Sequence, residues 1–209
     1  MKKILSLLAA SLFAVAALGQ TAEEIVNRMD AEMGRHQIDK EGLYMTVDIK
    51  IPILGTFSSK VWNLGEKMKL EAETAGILAV TWMDETTEWT YNSKTEEIVI
   101  ENRSEKSKTE SEGDTEMFSG ITDGYDVSIQ KETADAWHIL CKKSKNNKDK
   151  DDPKTMDLVV AKGSYAPKSL SAKMSGITMT MRDLRFGVSE KEVVFDPKAY
   201  PDAKVVDKR

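Results

Sequence analysis

The side chains that most often do chemistry are thinly spread along this chain. There are two histidines, His36 and His138, roughly a hundred residues apart. A histidine isolated in a strand is usually a hydrogen-bonded surface or core residue rather than a ligand. Cys141 is the single cysteine, so no internal disulfide forms, and its apolar surroundings in "AWHILCKK" point to a buried, inert thiol. No HExxH, CxxC or paired-histidine spacing is present to hold zinc. There is no GxSxG turn to raise a serine nucleophile and no glycine-rich phosphate loop. Asp149, Asp151 and Asp152 crowd one polar stretch without the ligand spacing of a calcium loop; a soluble hairpin tip accounts for them. The remaining carboxylates are scattered on the wet faces of strands, where catalytic pairing cannot be argued. These observations support no enzyme, and no metal or cofactor is expected.

What stands out instead is methionine. Ten follow Gly19: Met29, Met33, Met45, Met68, Met83, Met117, Met156, Met174, Met179 and Met181. In "ITMTM", Ile177 to Met181, threonine alternates with apolar residues, the pattern of a strand with one wet and one dry face. Two readings of such a dry face stay open. Methionine fills gaps in an ordinary core, or its three rotatable bonds let a cavity reshape around variable apolar cargo. The energetics of the second reading are ample, because burying a sixteen-carbon acyl chain at about 0.8 kcal/mol per methylene yields about 12 kcal/mol gross.

The elements that would position these residues are legible from period. Thr21 and Glu24 form a capping box, followed by Ile25, Val26, Met29 and Met33 at helical spacing and by Gly34, so one amphipathic helix of at most about four turns is predicted. After Gly42 the period becomes two. Met45, Val47, Ile49 and Ile51 alternate with polar residues until Pro52; Met68, Leu70 and Ala72 do the same; Leu78, Val80 and Trp82 repeat it less cleanly. "EWTYN" sets Trp89 and Tyr91 on one side, and Ile98 and Ile100 follow a turn. From Asn102 to Glu116 charge replaces pattern, as in a solvated loop. "DTEMFSGI" predicts a short helix capped by Asp114, with Met117, Phe118 and Ile121 on its apolar side. Further strands are read around "TDGYDVSIQ", "AWHILCKK", Met156–Val160 and Ile177–Val188. The fold class is mainly β (α+β): a hairpin-linked meander of about 9–11 antiparallel strands that must curl to bury its dry face, with the N-terminal helix over an open side.

Lys2 and Lys3, an apolar run from Ile4 to Leu18 and small residues ending at Gly19 read as a cleaved secretory signal peptide, residues 1–19. The run is short for a membrane span, and no cysteine at its exit could accept a lipid. Residues 20–209 are then expected to be one soluble, exported domain. The whole chain carries a formal net charge of −5. Loss of the two leader lysines leaves 28 basic against 35 acidic residues, or −7, which argues against nucleic acid and anionic membrane surfaces as partners.

Two segments carry a resemblance. "TWMDETTEWTYNSKTEEIVI" resembles a strand-turn-strand of the LolA/LolB-like lipoprotein-carrier superfamily, with Trp89 and Tyr91 at its aromatic pair and Asp84 at its turn aspartate. "VVFDPKAYPDAKVVD" resembles the closing motif of the same superfamily through Phe195 and Pro197. Glu85 stands where that turn has glycine, and "NLGEKMKLEA" lacks the arginine and proline of the corresponding family strand. The resemblance implies an unclosed antiparallel β-barrel, its concave apolar side covered by the N-terminal helix and a short lid helix. It also implies a soluble, monomeric periplasmic carrier without catalysis. Such a carrier binds lipid acyl chains or lipoproteins for transfer toward the outer membrane, with membrane-anchored donor and acceptor proteins as partners. On that reading Met45, Val47, Ile49, Met68, Leu70, Trp82, Trp89, Ile177, Met179 and Met181 line the hydrophobic cavity, and Met29 and Met33 lie on the lid helix. The residues leave two alternatives open: a non-catalytic envelope sensor or regulatory binding module on the same scaffold, and a hydrolase whose catalytic residues form no visible motif.

Overall fold

The computed structural model describes residues 20–103, 120, 122–150 and 152–209. The signal peptide and the short lid helix read from the sequence lie outside these residues, apart from Gly120. Helix α1 spans Ala22–Met33 and begins with the expected capping box: Thr21 Oγ1 accepts from the Glu24 amide at 3.2 Å, and Glu24 Oε2 accepts from the Thr21 amide at 3.1 Å. These bonds satisfy two amides that a helix start otherwise leaves orphaned. Ile25, Val26, Met29 and Met33 are all buried on one side of the helix. A four-residue helix, α2 (Ile38–Glu41), leads into the first strand.

Among the described residues twelve strands form one sheet in the order β12-β6-β5-β4-β3-β2-β1-β11-β10-β9-β8-β7. In chain order they are β1 (Leu43–Ile51), β2 (Gly55–Leu64), β3 (Lys67–Thr74), β4 (Ile77–Met83), β5 (Thr87–Asn92), β6 (Glu97–Asn102), β7 (Tyr125–Glu132), β8 (Ala136–Lys143), β9 (Thr155–Ala161), β10 (Pro167–Met174), β11 (Ile177–Phe186) and β12 (Lys204–Asp207). Two runs of hairpins, β1–β6 and β7–β11, join where β1 pairs antiparallel with β11. β7 and β12 are the two ends of the strand order and do not pair, so the barrel is unclosed. The expectation of about 9–11 strands is exceeded by β12 and by β2. β2 has weak alternation, because Phe57, Ser59 and Val61 share a face with a hydroxyl between the two apolar residues. β12 is too short to show a period and pairs in parallel with β6 after the long return of the chain.

Tight turns set the register. Ser175 and Gly176 both take positive φ, +49° and +86°, the geometry of a two-residue turn whose twist matches its flanking strands. Gly42, at φ +71°, has no room for a side chain: a Cβ there would lie 2.6 Å from both the Asn63 carbonyl oxygen and the Val188 Cβ. That close approach brings helix α3 (Glu190–Val193) against β2 and β3.

Candidate functional site

Residues directly opposite one another in an antiparallel ladder point to the same face, so the registers sort every predicted lining residue. On β1 and β11, Val47 faces Met181 and Ile49 faces Met179. On β10, Leu170 faces Met181, Ala172 faces Met179 and Met174 faces Ile177. Across β2, Met45 faces Val61, which faces Leu70, and Met68 faces Asn63. Met45, Val47, Ile49, Met68, Leu70, Ile177, Met179 and Met181 therefore share one face. It is the inner face, since Met29 and Met33 of α1 join Met45, Leu158, Leu170 and Ile139 in a single core cluster there.

Trp82 and Trp89 are not among them. Trp82 faces Lys69 and Trp89, while its neighbour Thr81 faces Leu70. Both tryptophans thus lie on the outer face, a correction to the cavity set read from the sequence. Alternation fixes which residues of one strand go together, but it does not say which set of the next strand shares their face. Nor are these tryptophans bare. Phe195 lies 5.2 Å from Trp82 and 5.7 Å from Trp89, ring centre to ring centre, and Tyr200 lies 5.5 Å from Trp82 and 4.5 Å from Tyr91. The two motif segments, Thr81–Ile100 and Val193–Asp207, meet as one aromatic layer. Asp84 closes the turn within the first by accepting from the Thr86 and Thr87 amides at 2.8 and 2.7 Å. Asp196 caps the 3-10 turn Pro197–Ala199 in the second. Sequence reasoning placed Arg103 in the charged stretch after β6, yet it is buried and donates to the Asp84 carbonyl at 2.8 Å and the Glu66 carbonyl at 3.2 Å. Its only sequence signal is its place directly after an apolar strand.

The inner face is not evenly covered. α1 packs over β7 and β9, and Gln20 and Arg28 tether it by donating to the Tyr165 hydroxyl at 2.9 and 2.7 Å. Beneath the helix the core is dry: Leu158, Ile139, Val160 and Cys141 are buried. Burial first, and then Asp157, pushes the Cys141 thiol up to about 11, in keeping with an unreactive residue. Away from the helix the same face opens. Along β11 Met181 is half-buried, Met179 is 44% exposed and Ile177 is 39% exposed; beside them Met174 is 49% exposed. Val47, Ile49, Met68 and Leu70 are half-buried. An apolar band thus runs from the dry core to the end of the sheet where the β1–β2 and β10–β11 hairpins turn.

Asp48 and Arg182, on the outer face of β1 and β11, form a two-pronged pair at 2.7 and 3.2 Å. The Arg182 hydrogen bond holds the Asp48 carboxyl below the ordinary range. Asp30 of α1 is pushed the other way, by burial first and then by Asp123. His36 stacks on Phe186 with 3.7 Å between ring centres, and its Nδ1 lies 2.9 Å from Glu41; His138 is half-buried in β8. Among the described residues no three His, Cys, Asp or Glu side chains converge as a metal site would require, and no helix is long and apolar enough to cross a membrane.

No family model and no curated protein sequence matches this chain. Solved structures do match it. Lipoprotein LppX of Mycobacterium tuberculosis aligns with 79% of this chain and 96% of its own at 10% identity, with a TM-score of 0.51. LprF of Mycobacterium bovis covers 84% of this chain and 96% of its own at 10% identity and a TM-score of 0.49. A LolA superfamily protein of Nitrosomonas europaea covers 86% and 99% at 10% identity and a TM-score of 0.34. At such identities the LppX likeness shows the fold alone. That fold is an unclosed, largely antiparallel barrel with a helix on its inner face.

Proposed function

We propose that this protein is a non-catalytic carrier that works after export to the periplasm. It would take up an acyl chain, free or on a lipoprotein, against the inner face of its sheet for transfer toward the outer membrane. The observation that carries the reading is the uncovered apolar band: Met174, Ile177 and Met179 are each more than a third exposed and run without a break into the core beneath α1. A soluble protein gains nothing by leaving such a band in water, and contiguous exposed apolar surface marks a binding site. The methionines suit reversible uptake, because a flexible thioether packs against many chain shapes without the strain a rigid branched side chain would incur. The LolA-like fold supports the reading at the level of architecture; the cargo and its donor and acceptor belong to the proposal.

The test is delipidation of the mature protein followed by titration with a fluorescent fatty acid. Saturable uptake, with lipid carried by the undelipidated protein in native mass spectrometry, is the expected result. A delipidated, folded protein that takes up no apolar probe would overturn it.

A further inference from the structure

The hairpin-tip end of the sheet carries a second feature that cargo binding leaves unexplained. In the link between β1 and β2, Ile53 is 105% exposed and Leu54 is 69% exposed. Ile53 also takes φ +71°, a left-handed conformation that a β-branched residue adopts only under strain. The turn therefore holds an isoleucine outward at a cost, where glycine or asparagine would relieve it. The Lys50↔Thr178 and Ile51↔Gly55 registers set this link beside the β10–β11 hairpin, whose Met174 and Ile177 are exposed as well. Next to that hairpin lies the β8–β9 link, and between the two is an open cavity of about 730 Å³ lined in part by Lys150, Lys154, Lys173 and Met174.

From this juxtaposition we infer that the hairpin-tip end of the sheet docks on an anionic phospholipid bilayer, with Ile53 and Leu54 entering the acyl boundary and the surrounding lysines meeting headgroups. Lys50, Lys145, Lys148, Lys150, Lys154 and Lys173 are all exposed in these links and strand ends. They outnumber the acidic residues of the same links, Asp149, Asp151 and Asp152. The mature chain, with 28 basic against 35 acidic residues, carries −7 and is repelled at long range, but screening confines each charge to about 8 Å at physiological salt, so the local excess decides at contact. Shallow apolar insertion and nearby basic residues add at an anionic surface, and the lysines' share weakens with salt. Ile53 and Leu54 stand outside the inner-face band, so the inference does not depend on cargo uptake.

The experiment is co-sedimentation of the mature protein with phosphatidylcholine vesicles, either pure or containing about a third phosphatidylglycerol. Wild type is expected to bind the anionic vesicles, weakening as salt rises, and to bind the neutral ones at least about tenfold less. I53S/L54S and K150Q/K154Q/K173Q should each lower anionic-vesicle binding by about tenfold or more, with unchanged thermal melts because all five side chains are exposed. I53S/L54S should keep its fatty-acid affinity. Wild type that ignores anionic vesicles, or tip variants that bind them as wild type does, would overturn the inference. So would a tip variant that loses fatty-acid uptake in solution, since the tip would then belong to the cargo site.

Discussion

Met179→Glu is the sharpest probe of the inner face. Met179 lies opposite Ile49 on β1 and Ala172 on β10, so a carboxylate there has no cation directly across from it on either neighbour. Because the position is 44% exposed, the new charge stays hydrated in the empty protein, and unfolding free energy should move by no more than about 0.5 kcal/mol. With a chain bound the balance changes. A methionine side chain covers about four methylenes, whose burial at about 0.8 kcal/mol each contributes about 3 kcal/mol, and the carboxylate adds a desolvation cost. Since about 1.4 kcal/mol is tenfold in affinity, fatty-acid binding should weaken by about a hundredfold or more. Thr178→Glu is the paired control. It faces the other way, opposite Lys50 and Lys173, and should leave the titration unchanged. Affinity for Met179→Glu within about threefold of wild type, in a protein with a wild-type urea transition, would refute the assignment of this face to cargo.

Phe195→Ala should destabilise the fold by roughly 2 kcal/mol, less than a fully buried aromatic deletion because Phe195 is half-buried. It should also shift Trp82 and Trp89 fluorescence to the red while sparing fatty-acid affinity, since this layer is on the opposite face. Asp48→Asn should cost roughly 1 kcal/mol by weakening the pair with Arg182, which is itself part-exposed. Because the Asp48 carboxyl is lowered in the fold, the contribution is present above the ordinary value of 3.8 and is lost as pH falls below it, so wild type and variant should converge in acid melts. The raised Cys141 thiol, moved from 9.0 to about 11, predicts slow alkylation at pH 8 in the native state and fast alkylation in urea. Its effect on stability has the opposite sense: the folded state keeps its proton longer, so stability declines as pH climbs from about 9 toward 11.

Local chemistry is what the sequence alone determined. Thr21 and Glu24 specify where α1 begins, because a capping box needs only residues three apart. Met45, Val47 and Ile49 belong together, as do Ile177, Met179 and Met181, because alternation along one strand is a property of that strand. Asp84 was legible for the same reason, because it serves a turn inside its own segment, whereas Trp89 and Tyr91 pack on Phe195 and Tyr200 of a distant one. What the tertiary structure decided is every relation between strands. The pairing of β1 with β11 brings Met179 against Ile49 across more than a hundred residues. The register of β3 with β4 turns Trp82 away from Leu70, and a one-residue difference in register would have turned it inward. β12 and the burial of Arg103 depend on the return of the chain end and on carbonyls left open at two turns, partners no short window contains. Period assigns each residue a side of its own strand; only hydrogen-bonded pairing assigns the strands a common inside.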